Sequence, residues 1–463
     1  MADHSEIKEI NLYESHQKIY PREVKGFFSS ARWFFVWLTQ IIYYATPWIS
    51  FNDRQAILFD LENRRFFLFN LVLYPQDLIY LTGLLIISAL SLFLFTAVAG
   101  RLWCGYTCPQ TVYTEIFQWI ENKVEGSFLK RKELDSSNWN IKKVLKKGTK
   151  HCMWLLFAFW TGFTFSGYFT PIKPLFINLI SLSLSGWSLF WILFYSFATY
   201  GNAGFMREQV CKYMCPYARF QSAMFDDKTL IISYDAERGE PRGKLSGSTK
   251  SNGDCIDCNI CVQVCPTGID IRKGLQYECI GCAACIDACD QVMSKVNKPK
   301  GLIKYTSEFQ NKNKHIGFLK SIFRPRVLIY CGILITFITL FVYAINFRPS
   351  FRVDIVKDRS VLSRIDKNGN IENIYRMQFM NLKEYTQSFL IDVHSVNGLI
   401  KLDIEDEKKE LSVPPAATEW FVIHIETPYE LIETGKHRIE VIFTSKQSND
   451  VIVEKTTFIV PRK

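Results

Sequence analysis

Apolar residues are distributed along this chain in two ways. Up to about residue 345 they come in long runs; beyond it they come in short alternating ones. Five runs are long enough for a helix that crosses a bilayer, which takes about 20 residues: 31–49, 78–98, 152–169, 184–203 and 327–345. The third is short and contains Gly162 and Gly167. The second and fifth carry no charged residue, which argues against buried core helices of a soluble domain. In the tail, strands are predicted at 351–356, 375–379, 389–393, 399–404, 420–425, 437–443 and 451–460. Turn signals at Lys367-Asn368-Gly369 and Thr434-Gly435-Lys436 separate several of them. This pattern predicts a β-sandwich of immunoglobulin-like size. It holds no cysteine, so no internal disulfide supports it.

At 463 residues the chain is too long for one ordinary domain. Its net charge is +10, and the positions of the charges say more than their sum. Arg101, Lys123, Lys130, Arg131, Lys132 and the basic run 142–150 follow the second apolar run; only Lys173 follows the third. Basic residues return from Arg207 to Arg326. Positive loops stay inside, so the N-terminus, the second loop and the segment after the fourth run are expected to be cytoplasmic, with the tail outside. Arg54, Arg64 and Arg65, offset by Asp53, Asp60 and Glu62, are the exception. The basic run is read as an orientation signal touching anionic lipid, not as a nucleic-acid site. Residues 1–29 are polar and lack a signal-peptide core, so the first run is expected to stay as an anchor. The expected architecture is a multi-domain membrane protein. It comprises an N-terminal segment (1–30), a helical region with four spans (31–226), a cytoplasmic linker and metal domain (227–326, core 250–295), a fifth span (327–345) and the immunoglobulin-like tail (346–463). A Ser/Gly/Thr stretch at 244–253 reads as a flexible linker.

Eight of the fourteen cysteines lie between Cys255 and Cys289. Crowding at short spacing suggests metal ligands in a reducing compartment. The spacing is Cys255-x2-Cys258-x2-Cys261-x3-Cys265-Pro266, then Cys279-x2-Cys282-x2-Cys285-x3-Cys289. This is the pattern of a bacterial ferredoxin with two [4Fe-4S] clusters, in which the fourth Cys of each run serves the other cluster. One ligand set is then Cys255, Cys258, Cys261 and Cys289; the other is Cys279, Cys282, Cys285 and Cys265. Gly281 and Ala283 leave room beside the second. Zinc, which favours two Cys pairs with a longer gap, fits poorly. Clusters that exchange ligands sit close together, which favours electron relay over a purely structural role.

A second motif, Cys-x3-Cys-Pro, occurs twice: Cys104 and Cys108 before Pro109, and Cys211 and Cys215 before Pro216. Residues four apart share a helix face, so each pair is expected to present two sulfurs together, unless the proline ends the helix there. Both pairs fall on the side of the metal domain. Four thiols at one level suit a soft metal or a thiol relay; the plainer reading is small residues at a membrane edge. Cys152 and Cys331 stand alone and read as small hydrophobes, and His151 as an interface residue. Met206, Met214 and Met224 lie near the second pair. Thioethers suit Cu(I), but packing is the simpler role.

Several stretches resemble the cytochrome c oxidase accessory protein family, called CcoG, FixG or RdxA. They are Trp103-Cys104-Gly105-Tyr106-Thr107-Cys108-Pro109-Gln110-Thr111, the run from Cys211 through Tyr217 to Gln221, Tyr234-Asp235, Arg238-Gly239-Glu240-Pro241-Arg242, and the ferredoxin run through Asp290. Arg54-Gln55-Ala56 and Pro75-Gln76-Asp77 belong to the same resemblance. It implies a role in assembling a cbb3-type oxidase in a bacterial inner membrane, as a reductase turning Cu(II) into Cu(I). Its partners would be oxidase subunits or copper-handling assembly proteins, with the electron donor left open. The eight ferredoxin cysteines would be cluster ligands, and Cys104, Cys108, Cys211 and Cys215 copper ligands or relay thiols. Two rivals stand beside this: a quinol-linked conduit to a partner reductase, for which the aromatic residues 66–69 leave room, and a non-enzymatic scaffold or copper chaperone.

Overall fold

Residues 50–73, which the sequence pattern leaves as an outer loop, fold as short antiparallel strands. β1 (Ser50–Phe51) pairs with β2 (Arg54–Gln55), and β3 (Ile57–Asp60), β4 (Arg65–Leu68) and β5 (Leu71–Leu73) form a three-stranded meander. In this computed structural model the described residues are 18–52, 54–243, 253–312, 323–357, 363–365, 369–395, 403–404, 410–428 and 432–461. The linker stretch up to residue 252, Lys367 and Asn368 of the tail turn, and 399–402 of the expected fourth tail strand lie outside them. The chain divides into two compact units. One takes Leu85–Phe337 with the described residues up to Ile49; the other takes Ser50–Leu84 with Ile338–Lys463.

The first unit is mainly helical: α1 (Phe27–Ala45), the larger part of α2 (Leu78–Ala99), α3 (Leu102–Tyr106), α4 (Pro109–Glu125), α5 (Phe128–Ser136), α6 (Ile141–Ser166), α7 (Ile172–Ile180), α8 (Gly186–Gly201) and α9 (Pro216–Met224). Among the described residues two helices, Pro75–Ala99 and Pro325–Asn346, are long and apolar enough to cross a membrane. The other three expected spans fall on α1, α6 and α8, which are shorter or more polar. Their outward faces are nonetheless apolar and exposed, with Trp37 and Ile41 on α1, Leu156 on α6 and Phe194 and Phe197 on α8.

Helix α6 starts well before the third apolar run, because the Asn140 side chain caps it by accepting from the Lys143 N–H at 2.8 Å. The basic run therefore lies on a helix, and part of it turns inward. Lys147 and Lys150 each reach buried Glu125 at 2.9 Å. Glu121, fully buried, is held by Arg207 at 2.9 Å and Arg131 at 3.3 Å, with Lys150 at 3.6 Å. Burial raises the Glu121 carboxyl pKa, but Arg207, Lys150, Lys18 and Arg131 outweigh that and hold it at about 2. Lipid contact is thus the wrong reading for Lys147 and Lys150: a buried carboxylate pair claims them. His151 bonds Tyr200 at 2.9 Å and stacks on Phe205, a packing role.

The metal domain of this unit adds β6 (Ile231–Tyr234) paired with β7 (Ile303–Thr306), and the helices α10 (Ala236–Gly239), α11 (Ile260–Gln263), α12 (Ala284–Lys295) and α13 (Glu308–Lys312). Helix α14 (Pro325–Asn346) follows.

The tail folds as the expected sandwich of two antiparallel sheets. One has the order β12 (Asp403–Ile404), β14 (Thr418–Pro428), β10 (Asn370–Asn381), β8 (Phe351–Lys357), with β9 (Arg364–Ile365) beside β10. The other runs β13 (Glu410–Val413), β11 (Gln387–Ser395), β15 (Gly435–Ser445), β16 (Val451–Val460). Alternate residues point inward: Phe389, Ile391 and Val393 from β11 meet Tyr375, Met377 and Phe379 from β10. Strand β13 escapes the sequence reading because it is only four residues long.

The meander completes this unit. Leu58, Phe67, Val72 and Tyr74 bury against Met380 and Leu382. Phe67 is therefore a core residue, while Phe69 of the same aromatic stretch is exposed. Fully buried Asp77 pairs with Arg348 and, at 2.8 Å, with Arg352. Replacing Asp77 by alanine leaves Arg348 buried without its counter-charge. It should destabilise this unit by about 3 kcal/mol, read as an earlier urea midpoint for its β-sheet signal.

Candidate metal centres

Each ferredoxin cysteine run is bent by two residues in the left-handed region. In the first run they are Asp257 (φ 52°) and Asn259 (φ 56°), on either side of Cys258; in the second, Gly281 (φ 68°) and Ala283 (φ 59°), on either side of Cys282. The same two turns in each run place three cysteines around one void and start α11 and α12 respectively. The third cysteines, Cys261 and Cys285, lie in the first turn of those helices.

The fourth cysteine of each run lies across at the other run's void. One void is lined by Cys255, Cys258, Cys261 and Cys289. A second is lined by Cys265, Cys279, Cys282 and Cys285, with Cys261 between the two. The walls are apolar: Ile303, Val292 and Met293 around the first, Ile232, Ile269 and Ile271 around the second. Among the described residues Arg272 is the one charged residue lining either void, and it is held by Asp270 at 2.8 Å and Asp257 at 2.6 Å. Among the described residues no three His, Cys, Asp or Glu side chains converge on a single-ion site. Thiols spread around a void suit a cube, whose four thiolate ligands lie farther apart than those of one zinc ion. The residues therefore fit two cubanes, which supply one-electron redox chemistry when bound.

The Cys-x3-Cys-Pro pairs do not lie on one helix face, contrary to the spacing argument. Cys104 sits in α3, which ends at Tyr106; Cys108 is the cap of α4, with Pro109 in the first turn. Cys211 lies in a wide π-turn, Val210–Met214, and Cys215 caps α9 ahead of Pro216. Proline has no N–H to continue the preceding helix, but its fixed φ suits the start of a new one. The backbone N–H groups of Gln110 and Thr111, in the first turn of α4, lie near the Cys108 sulfur without a cap hydrogen bond and favour its thiolate.

The four thiols are nevertheless brought together, each within electrostatic reach of the others. Burial pushes Cys104 up to about 11 and Cys211 up to about 12, so a soft cation bound there displaces protons. Gln221 donates to the Cys104 sulfur at 3.3 Å. Met214 is exposed and Met206 lines a separate cavity with His151. Cys152 is exposed and Cys331 half-buried, neither in these groups.

This thiol group sits against the second ferredoxin loop. A Cβ on Gly105 would lie 2.8 Å from the Gly281 carbonyl oxygen and 2.9 Å from the Cys282 backbone, so only glycine allows this approach. Arg101 ties the parts together. Its guanidinium donates to the carbonyls of Tyr277 and Cys279 (3.2 Å) in the ferredoxin loop and of Ala218 (3.0 Å) in α9. The Tyr305 hydroxyl donates to the Gly281 carbonyl at 2.5 Å. In the sequence Arg101 is one basic loop residue among many; its place two residues before the Trp103-Cys104 motif was the available signal.

Comparison with known proteins identifies iron–sulfur and IG-like domains in the chain. Residues 206–308 match the family model of a 4Fe-4S dicluster domain, 81–132 that of a 4Fe-4S binding domain, and 341–461 that of the IG-like fold at the C-terminal of FixG. Nitrogen fixation protein FixG of Rhizobium meliloti is 37% identical over 409 residues, covering 80% of this chain and 78% of that protein. Proteins RdxA and RdxB of Cereibacter sphaeroides are 37% and 38% identical, covering 88% of both chains in each case. With its cysteine-lined voids, its thiol group and its sandwich tail, the chain belongs to the FixG/RdxA family and is an iron–sulfur electron-transfer protein.

Proposed function

We propose that this protein is a membrane-bound cupric reductase that serves assembly of a cbb3-type oxidase. Cys255, Cys258, Cys261 and Cys289 hold one [4Fe-4S] cluster, and Cys265, Cys279, Cys282 and Cys285 the other. Cys104, Cys108, Cys211 and Cys215 receive Cu(II) as substrate and release Cu(I). The observation that carries this is the seating of α3 on the second ferredoxin loop through Gly105. It puts a soft-donor group beside a source of single electrons. Thiolates favour the cuprous ion, and thiols that are grouped without converging suit a passenger better than a resident metal. In this reading α1, α2, α6, α8 and α14 span the inner membrane, the metal domain is cytoplasmic and the tail is extracytoplasmic, where an oxidase subunit can meet it. The apolar outer faces of α1, α6 and α8 support the five spans.

Exchanging Cys108 and Cys215 together for serine tests the copper step. The double variant should keep the iron–sulfur absorbance and lose Cu(I) production, read with a Cu(I)-specific chelator. Reduction of Cu(II) at the native rate would place the copper step elsewhere.

A further inference from the structure

A cavity of about 310 Å³ lies among α1, α4, α6 and α8. Thr107 and Pro109, the neighbours of Cys108, form part of its wall; Tyr43, Tyr113, Phe165 and Tyr195 supply aromatic surface. Among the described residues no Asp, Glu, Lys, Arg or His lines it. Gln40, 8% exposed, lines it too, and its side-chain carbonyl oxygen has no hydrogen-bond partner. The surrounding hydroxyls are engaged: Tyr43 donates to the Thr161 carbonyl at 3.0 Å, and Thr199 to the Tyr195 carbonyl at 2.9 Å. The Tyr113 hydroxyl has Tyr44, Gln40 and Thr161 as hydrogen-bonding neighbours. A buried acceptor without a donor is costly unless a ligand supplies one.

These features define what fits. The ligand is uncharged, since no charge would balance it. It is flat, to lie among aromatic rings, and it brings an O–H donor to the Gln40 carbonyl. It reaches a cavity walled by helices with apolar outer faces, so it dissolves in the membrane. The volume is that of a small-molecule site. We propose that this cavity binds the head group of a membrane quinol, which supplies electrons to the thiol group beside Cys108. The cavity is distinct from the aromatic stretch 66–69, where Phe67 is buried in packing. Oxidising the quinol to the quinone breaks two O–H bonds and frees two electrons and two protons. Two Cu(II) ions, taken in turn, accept the electrons and become two Cu(I). With no carboxylate or imidazole in the lining, the protons leave to water. The electron step rests on the cupric-reductase reading; the binding site does not.

The test begins with binding. Full-length protein in detergent is titrated with the fluorescent quinol analogue 2-heptyl-4-hydroxyquinoline N-oxide. One saturable site per chain is expected, with displacement of the analogue by decylubiquinol. Gln40→Leu removes the acceptor and Thr199→Phe fills the cavity from another helix. Each should weaken binding about tenfold or more, while iron content and dithionite-driven Cu(I) production stay at the wild-type level. Decylubiquinol-driven Cu(I) production should fall with binding. Unsaturable quenching in the wild type, or native affinity in both variants, would overturn the site. If dithionite drives no Cu(I) production in the wild type while the analogue binds and both variants lose it, the copper reading fails and the site stands.

Discussion

Cys282→Ser should strip about half of the iron and leave the other half in place. Cys258→Ser should do the same to the opposite half. The two residues stand at matching points of the two runs, each between a pair of left-handed residues, yet they line different voids. Two cubanes bring about eight irons per chain, so each single variant should keep about four and the double variant almost none. Cys282 is buried and Cys258 exposed. Loss of the second cluster should therefore also loosen the packing around Ala283, Ala284 and Ile286, whereas loss of the first should disturb the fold less. Iron and sulfide analysis with the electron paramagnetic resonance spectrum of each reduced variant gives the readout. Identical residual spectra in the two variants would mean that both cysteines serve one cluster. Colourless, zinc-loaded protein would remove the clusters altogether.

Gly105→Leu should leave both clusters in place and slow electron delivery to Cu(II) by about tenfold or more. No side chain fits between α3 and the loop of Gly281 and Cys282: the Cβ alone meets backbone at 2.8 and 2.9 Å, and backbone cannot turn aside as a side chain does. The helix must lift, carrying Cys104 away from Cys282, and electron transfer falls steeply with distance. Rapid mixing of reduced variant with Cu(II) gives the rate; a Gly105→Ala variant, with one carbon to accommodate, should fall between. Native rates in both variants would mean that electrons leave the ferredoxin domain by another face.

What could be read from the sequence was local. The two cysteine runs from Cys255 to Cys289 show through their own spacing, without knowledge of the rest. Tail strands show through alternation, and residues 437–443 fall inside observed β15. What was missed depends on contacts between distant residues. Phe67 belongs to a core only because Met380 and Leu382 lie against it. Lys147 and Lys150 look like surface charges until Glu121 and Glu125 are found buried beneath them. Arg101 reads as a loop cation, yet it ties the Cys104 helix, the Ala218 helix and the Cys279 loop. The helix-face argument for Cys104 and Cys108 failed for a local reason: proline at the next position starts a new helix instead of extending the old one. The thiols still come within electrostatic reach of one another, through the packing of four separate segments.

The most direct test of the account is an anaerobic titration of the dithionite-reduced, full-length protein, freed of excess reductant, with Cu(II). The cluster absorbance should return to its oxidised form in step with added copper, about one Cu(I) appearing for each cluster reoxidised. Clusters that stay reduced while Cu(II) accumulates unchanged would contradict the account.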